Sequence, residues 1–330
     1  MRVLVAPDKF RGTITAHQVC VAVARAARHL GHECVQRPLA DGGEGTLAVL
    51  GGANRVTTVT GPLGYPVGAS WRYHDHVAVI EMAQASGLAL AGGREKNLAL
   101  DATTAGTGEL IRHAISAGAR RIVVCLGGSA TTDGGLGALD AIGGQFRLKG
   151  IELVVACDVS TKFVEASAVF APQKGASPAQ VSLLTRRLES LVDTYQTRFG
   201  VDVGALEGGG AAGGLAGALW ALGGVLRPGF DVVADHVGLT ELVDTADFVI
   251  TGEGHLDAES FHGKVVGSVA LLCDERNVTC AAIVGDIDVD VMPRIRHVSL
   301  VQMFGREQAM WATEACIEDA AIALLSGSPM

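Results

Sequence analysis

The sequence predicts an α/β protein built on parallel sheet, and three observations carry that expectation. Short β-branched or apolar runs alternate along the chain with longer segments of helical spacing, the pattern of strands joined by crossover helices. Most of the strand-like runs break into loops that pair glycine with a carboxylate, as at Asp8, Asp41, Asp133, Asp158 and Glu253. Ligands of open α/β sheets bind outside the carboxyl ends of strands, so these loops are where chemistry is expected. The 44 glycines fall between periodic segments and form no low-complexity run, which fits a loop-rich globular chain. With 330 residues the chain is long enough for two lobes of ordinary size.

Taken in order, residues 3–6 read as a first strand, followed by Pro7-Asp8-Lys9-Phe10-Arg11-Gly12. Thr13 or Thr15 can cap a helix that runs to about Leu30 and closes at Gly31. Residues 34–38 make a second strand, after which Asp41-Gly42-Gly43-Glu44-Gly45-Thr46 puts carboxylates and glycines at the mouth of a helix. Strands follow at residues 55–60, 69–73 and 77–82, the last two a hairpin turned at His74-Asp75-His76. Glu81 ends an apolar run, where a carboxylate is either buried or facing a ligand. Thr103 to Gly108 opens a helix whose apolar face is Leu110, Ile111, Ala114 and Ile115.

That helix leads into a strand at residues 122–126, which breaks into Gly127-Gly128-Ser129-Ala130-Thr131-Thr132-Asp133-Gly134-Gly135. Glycines let backbone approach a ligand closely, while the hydroxyls and Asp133 supply donors and acceptors. From Leu136 the pattern turns helical, so unpaired N–H groups and a positive dipole end would suit a phosphate. A tight turn with Asp133 as helix cap accounts for the same residues. Further strands are expected at residues 151–157, ending on Asp158, at 248–250, ending in Thr251-Gly252-Glu253-Gly254-His255-Leu256-Asp257, and at 280–284. Helices are expected from Pro178 to about Phe199, from Glu207, and from about Trp311 to Leu325. The GGGAAG run at residues 208–213 matches GxGxxG literally, with Asp231 downstream. No strand precedes it, so it reads as a small-residue helix face rather than a dinucleotide fingerprint.

Bulk composition narrows the function. With 26 Lys+Arg against 35 Asp+Glu the formal charge is -9, which argues against nucleic acid or an anionic membrane as main partner. The seven cysteines are scattered and lack CxxC spacing, as in a reduced, cytoplasmic protein. The N-terminus lacks a signal-peptide core, and the longest apolar stretch, residues 215–226, is too short to span a bilayer. Neither a P-loop, a protein-kinase glycine loop nor a GxSxG elbow occurs. What remains is repeated placement of acids and a few cations beside flexible backbone, the materials of a Mg²⁺-phosphate site.

The strings PDKFRGT, LADGGEGT, GPLGYPV, IEMAQASGL, TTAGTGELI, GGSATTDGG, FAPQKGA, GAAGGLAGAL and TGEGHLD occur in this order. Together they resemble the glycerate kinase family, and the resemblance covers essentially the whole chain. It implies ATP-dependent, Mg²⁺-assisted phosphorylation of D-glycerate, with 2-phosphoglycerate the usual product. It also implies two α/β lobes around a cleft, interleaved in sequence, with a Rossmann-like lobe that has a parallel sheet and takes both chain ends. The expected lobes are residues 1–60, about 85–130 and about 260–330, against about 61–84 and about 131–259.

On that resemblance, Thr104, Gly106 and Thr107 with Gly127, Gly128, Ser129, Gly134 and Gly135 are expected to hold the nucleotide phosphates, with Asp133 part of the catalytic loop. Glu253 and Asp257 are expected to help hold Mg²⁺. Asp41 or Asp158 would be the base, and Arg11 or Lys174 would bind the glycerate carboxylate, with Asp8, Glu44 and Glu81 near the substrate. Asp41 and Asp257 also suit helix caps, and Lys174 or Lys264 a solvated turn. Two alternatives are carried: an NAD(P)-dependent oxidoreductase of a small hydroxy acid, and a regulator that binds nucleotide or sugar acid without turnover. No nucleic-acid or membrane partner is expected, and homo-oligomerisation is left open.

Overall fold

The computed structural model describes residues 1–143, 148, 150–288 and 295–327. Among them are eleven strands: β1 (Arg2–Val5), β2 (Glu33–Gln36), β3 (Arg55–Thr60), β4 (Pro66–His74), β5 (Val77–Glu81), β6 (Arg121–Cys125), β7 (Glu152–Ala156), β8 (Val225–Arg227), β9 (Phe248–Leu256), β10 (Thr279–Ile287) and β11 (Arg296–Ser299). The chain divides into two compact units, Met1–Asp41 with Phe230–Met330, and Gly42–Gly229.

In the unit that holds both chain ends the sheet order is β11-β10-β9-β1-β2, and every pairing is parallel. Strand order reverses between β1 and β9, the kind of switch point at which doubly wound sheets open a crevice. Side chains alternate across this sheet as a strand's period of two requires. Val3, Val5, Ile250, Ala281 and Ile283 pack on one face with Val19, Val23, Ile317 and Leu324, while Ala282 and Val284 pack on the other with Val266. The helix Ala16–His29 starts where Thr15 accepts from the Gln18 N–H and Gln18 returns the bond, a capping box. Its end is set by Gly31, whose φ of +75° turns the chain back so that the His32 N–H reaches Ala27 O at 2.8 Å.

The unit Gly42–Gly229 carries a sheet of order β3-β4-β5-β6-β7-β8, antiparallel through β3–β5 and parallel from β5 to β8. The β4–β5 hairpin turns where Asp75 and His76 take φ of 46° and 61°, and His76 Nδ1 lies 3.0 Å from Gly118 O. The helix Pro178–Phe199 starts at a second capping box, Ser177 with Gln180.

The units are divided differently from the lobes expected on sequence. Strand β6 lies between β5 and β7, so residues 85–130 belong with 131–229. Strand β9 pairs with β1, so residues 230–259 belong with the chain ends. Backbone pairing decides membership, and a strand's partner is not written in its own residues.

Two further expectations change. Strand β9 does not end at Ile250 but runs through Gly252, Glu253 and Gly254 to Leu256, and β10 extends to Ile287 beside it. The glycines there permit close strand approach: a Cβ on Gly252 would lie 2.2 Å from Ile283 O, and one on Gly285 would lie 2.3 Å from Gly254 O. The helix expected from Glu207 starts later, as a 3₁₀ turn Ala211–Gly214 followed by an α-helix Leu215–Ala221. The closing helix forms where it was expected, at Thr313–Ser326, preceded by a separate short helix Arg306–Trp311.

Candidate functional site

In the chain-end unit the groups of interest gather where β1 stops and β9 continues. The Ala6 N–H donates to Ile250 O and the Asp8 N–H to Gly252 O, both at 2.8 Å, while the Leu39 N–H reaches Pro7 O at 2.8 Å. These bonds lay the segment after β1 along β9 and the segment after β2 beside it, and bring Asp8 near Glu253 and Asp41 near Asp8. Glu253 is only 8% exposed, and its Oε1 finds no hydrogen-bond partner among the described residues. A buried, half-satisfied carboxylate is costly and usually signals a proton or a ligand.

Burial pushes the Glu253 carboxyl up to about 7, the charges of Asp8 and Asp257 add to this, and Ser260 and Lys264 pull the other way. Asp8 is pushed up to about 6, first by burial and then by Asp41, against Lys9, whose N–H donates to Asp8 Oδ1 at 2.7 Å, and Lys264. Like-charged neighbours in a desolvated spot are a standard way to raise a carboxyl toward neutrality. Asp257 differs. Its Oδ1 accepts from the Ser260 N–H at 2.9 Å and from Ser260 Oγ at 3.1 Å, with Lys264 Nζ at 3.6 Å. Burial opposes the result, but Lys264 and Ser260 hold it below the usual carboxylate range. Asp257 caps the 3₁₀ turn Ala258–Phe261, so that oxygen is committed.

Arg11 is presented by a tight turn. Phe10 is buried and bridges to Ile14, so Arg11 and Gly12, with Gly12 at φ +82°, project from the surface.

In the unit Gly42–Gly229 the loop after β6 is clamped from behind. Asp133 Oδ2 accepts from the N–H and the hydroxyl of Thr104, each at 2.8 Å, and from the Gly137 N–H at 3.3 Å, while Oδ1 accepts from the Gly135 N–H at 3.0 Å. Burial nevertheless raises its carboxyl above the ordinary value. Four donors leave Asp133 little to offer a ligand. It is a clamp that ties the loop to Thr104, while the N-cap position of the following helix is taken by Gly135.

The same geometry redirects five residues expected at the phosphates. Thr104 and Thr107 are fully buried, Thr107 against Ser86 Oγ at 2.9 Å. A Cβ on Gly106 would fall 1.9 Å from Thr60 O. Gly134 and Gly135 lie within 2.4 Å, by the same construction, of Leu191 and Ala218 side chains. All five make close packing possible and none is open to a ligand. Gly127, Gly128 and Ser129 remain. Among the described residues their N–H groups enter no hydrogen bond of the turn, and Gly128 is exposed with φ +75°.

Lys174 is not a solvated turn residue. It is 3% exposed, its Nζ donates to Thr131 O at 2.7 Å, and burial lowers it to about 7 against the pull of Asp133. Asn97 donates to Ala130 O and Lys174 O at 3.0 and 2.8 Å. Lys174 and Asn97 therefore hold the carbonyls of the loop inward, and neither is placed to bind a substrate carboxylate. Nothing in the sequence around Asn97 signals this role. Glu81, also buried, accepts from the Gly45 and Leu47 N–H groups at 3.0 and 2.7 Å, which fixes the helix start after the exposed Glu44. Asp158 Oδ1 accepts from the Gly229 N–H at 2.6 Å.

The glycine run is closed to a dinucleotide. Residues 208–219 are buried throughout, and a Cβ on Gly213 would lie 2.0 Å from Thr131 O. Among the described residues no three His, Cys, Asp or Glu side chains converge as a metal cage, and no helix is long and apolar enough to cross a membrane.

Comparison with known proteins identifies the family. The model of the glycerate kinase family matches residues 3–147 and 145–327. The glycerate 2-kinase of Escherichia coli K12 is 38% identical over 88% of this chain and 87% of its own, and a glycerate kinase of Bacillus subtilis is 37% identical over 90% and 88%. A crystal structure of a candidate glycerate kinase 2 from Salmonella typhimurium LT2 superposes with a TM-score of 0.83 at 33% identity, covering 100% of both chains. The fold and these likenesses define the class as phosphotransferases that use an alcohol group as acceptor. The chain belongs to the glycerate kinase family, whose reaction is phosphorylation of glycerate.

Proposed function

We propose that this protein transfers the γ-phosphoryl group of ATP to D-glycerate with 2-phosphoglycerate as product, and that Mg²⁺ assists. The observation that carries the catalytic part is the pair of raised carboxyls, Asp8 and Glu253, at the switch point of the chain-end sheet. Phosphoryl transfer requires positioning, charge neutralisation and an acceptor for the hydroxyl proton. As the glycerate oxygen bonds to the γ-phosphorus, the bond from phosphorus to the β,γ-bridging oxygen breaks and ADP leaves. The hydroxyl proton passes to the Asp8–Asp41 pair. A carboxyl of about 6 is ionised at neutral pH yet basic enough to accept it.

Arg11 holds the substrate carboxylate by a forked, charge-assisted contact. In the other unit Gly127, Gly128 and Ser129 offer backbone N–H groups to phosphate oxygens, and Asp133, Thr104, Lys174 and Asn97 keep that loop in shape. The residues present fit Mg²⁺, which usually takes one or two carboxylates and completes its shell with phosphate and water oxygens. Glu253, with its unsatisfied Oε1, would hold it, in preference to the committed Asp257. The ion supplies neutralisation of the charge that develops on the transferring group.

The test is ADP release coupled to a spectroscopic readout with D-glycerate, L-glycerate, glycolate and tartronate, with and without Mg²⁺. Release with D-glycerate that depends on Mg²⁺, and 2-phosphoglycerate identified by ³¹P NMR, is the expected result. Folded protein that releases ADP with none of the four acids overturns the reading. Acid binding without turnover would instead leave a regulator, and nicotinamide absorbance changes an oxidoreductase.

A further inference from the structure

The chain-end unit contains a cavity of about 220 Å³ at the carboxyl ends of β9 and β10, between the turn that carries Arg11 and the helix Arg306–Trp311. We infer that this cavity is the seat of the acid substrate and that Arg306, held by Asp286, is the second cation that selects it. The inference rests on the functional reading above and deepens it.

Three features carry it. The volume lies below the roughly 300–1,000 Å³ of pockets for drug-sized ligands, so it suits a molecule far smaller than a nucleoside triphosphate. Its floor is apolar, with buried Phe10, Leu300 and Ala309, and its rim is cationic, with Arg11 and Arg306 against the one lining carboxylate of Asp286. Asp286 is anchored: Oδ1 accepts from the Ile287 N–H at 3.0 Å, and Oδ2 pairs with Arg306 Nη2. That pairing fixes an otherwise exposed guanidinium over the opening and leaves Arg306 further donors for an anion. Arg11 makes no side-chain hydrogen bond or ion pair among the described residues.

The chain's formal charge is -9, so an anionic substrate must be met by such local cations. A short hydroxy acid matches the lining, its carboxylate on the guanidinium groups and its C–H surface on the floor. Arg11 lies three residues after Asp8, and the lining residue Gly254 directly follows Glu253, so the cavity shares two stretches of chain with the raised carboxyls, which do not themselves line it.

Two variants test the site, Arg306→Gln and Met310→Trp, the second filling the opening. The Arg306 side chain is 73% exposed and Met310 is 57% exposed, so neither should unfold the protein, which thermal melts verify. D-glycerate titrated calorimetrically into the wild type and both variants, with and without a non-hydrolysable ATP analogue, reads binding apart from turnover. The expected result is an affinity for D-glycerate weaker by about tenfold or more in each variant, with the same rise in KM for D-glycerate and no change in KM for ATP. Turnover by the wild type with unchanged D-glycerate affinity and KM in both variants overturns this site and leaves the functional reading standing. Binding weakened in both variants without any turnover overturns the functional reading and leaves the site. A wild type that neither binds nor phosphorylates D-glycerate sinks both.

Discussion

Asp8 and Glu253 show how position changes the chemistry of a carboxyl. Both are ordinary acids in the sequence; burial first, then the charge of Asp41 on Asp8 and of Asp8 and Asp257 on Glu253, lift them to about 6 and about 7. If the Asp8–Asp41 pair takes the hydroxyl proton, Asp8→Asn should lower kcat by about 10²–10⁴-fold with little change in melting temperature, and the wild-type kcat/KM should fall as pH drops through about 6. A rate within a few-fold of wild type would remove Asp8 from the reaction. Glu253 makes a second prediction with a definite sign. Its folded value lies above the ordinary 4.5, so between the two the native state binds more protons than the unfolded state and stability falls as pH rises through that window. Glu253→Gln should thus stabilise the protein at pH 8, by about 3 kcal/mol at most, and the gain should vanish near pH 4. Thermal melts at both pH values in the absence of nucleotide and metal decide it. That acids stand in the loops at strand ends was legible in the sequence; which of them carry free oxygen and which are caps was not. Asp133 and Asp257 look like Asp8 on paper, and only their hydrogen-bond partners separate them.

Glycine-rich elements divide in the same way. The strand after the helix Ala105–Ser116 was legible as β6 from its β-branched run, and Pro178–Phe199 from its amphipathic pattern, while its Ser177 cap came only with the structure. The glycines were ambiguous, because close packing and ligand approach both ask for a missing Cβ. At Gly106 the reason is packing, since an added methyl would meet Thr60 O at 1.9 Å. Gly106→Ala should destabilise the protein by about 2–4 kcal/mol, whereas Gly128→Ala, where the Cβ would meet only the Ala83 methyl at 3.3 Å but φ is +75°, should cost less in stability. Urea titrations of the two would show it, and equal midpoints would refute the distinction. Strands β9 and β10 were read too short for a related reason: Gly252, Gly254 and Gly285 break the apolar pattern, yet ladder hydrogen bonds carry the strands through them.

At the scale of the molecule, one unit is a continuous segment and the other is made from both ends of the chain. Residues 42–229 have their own sheet and a large apolar core that includes Trp71, Phe163 and Tyr195. Expressed alone they should fold, with cooperative thermal unfolding followed by circular dichroism; a non-cooperative melt would contradict this. Residues 1–41 alone should not fold, because β1 needs β9 as its neighbour. What the sequence by itself determined is the alternation of strand and helix, a threonine cap at the start of the first helix, and the family to which the nine strings point, since propensity, capping and periodicity act over a few neighbouring residues. Only the tertiary structure decided which strands share a sheet, that Glu253 keeps a buried oxygen without a hydrogen bond, and which glycines face solvent. Those properties belong to pairs of residues as far apart in sequence as Asp8 and Glu253, and the bonds and burial that create them exist only once the chain has closed.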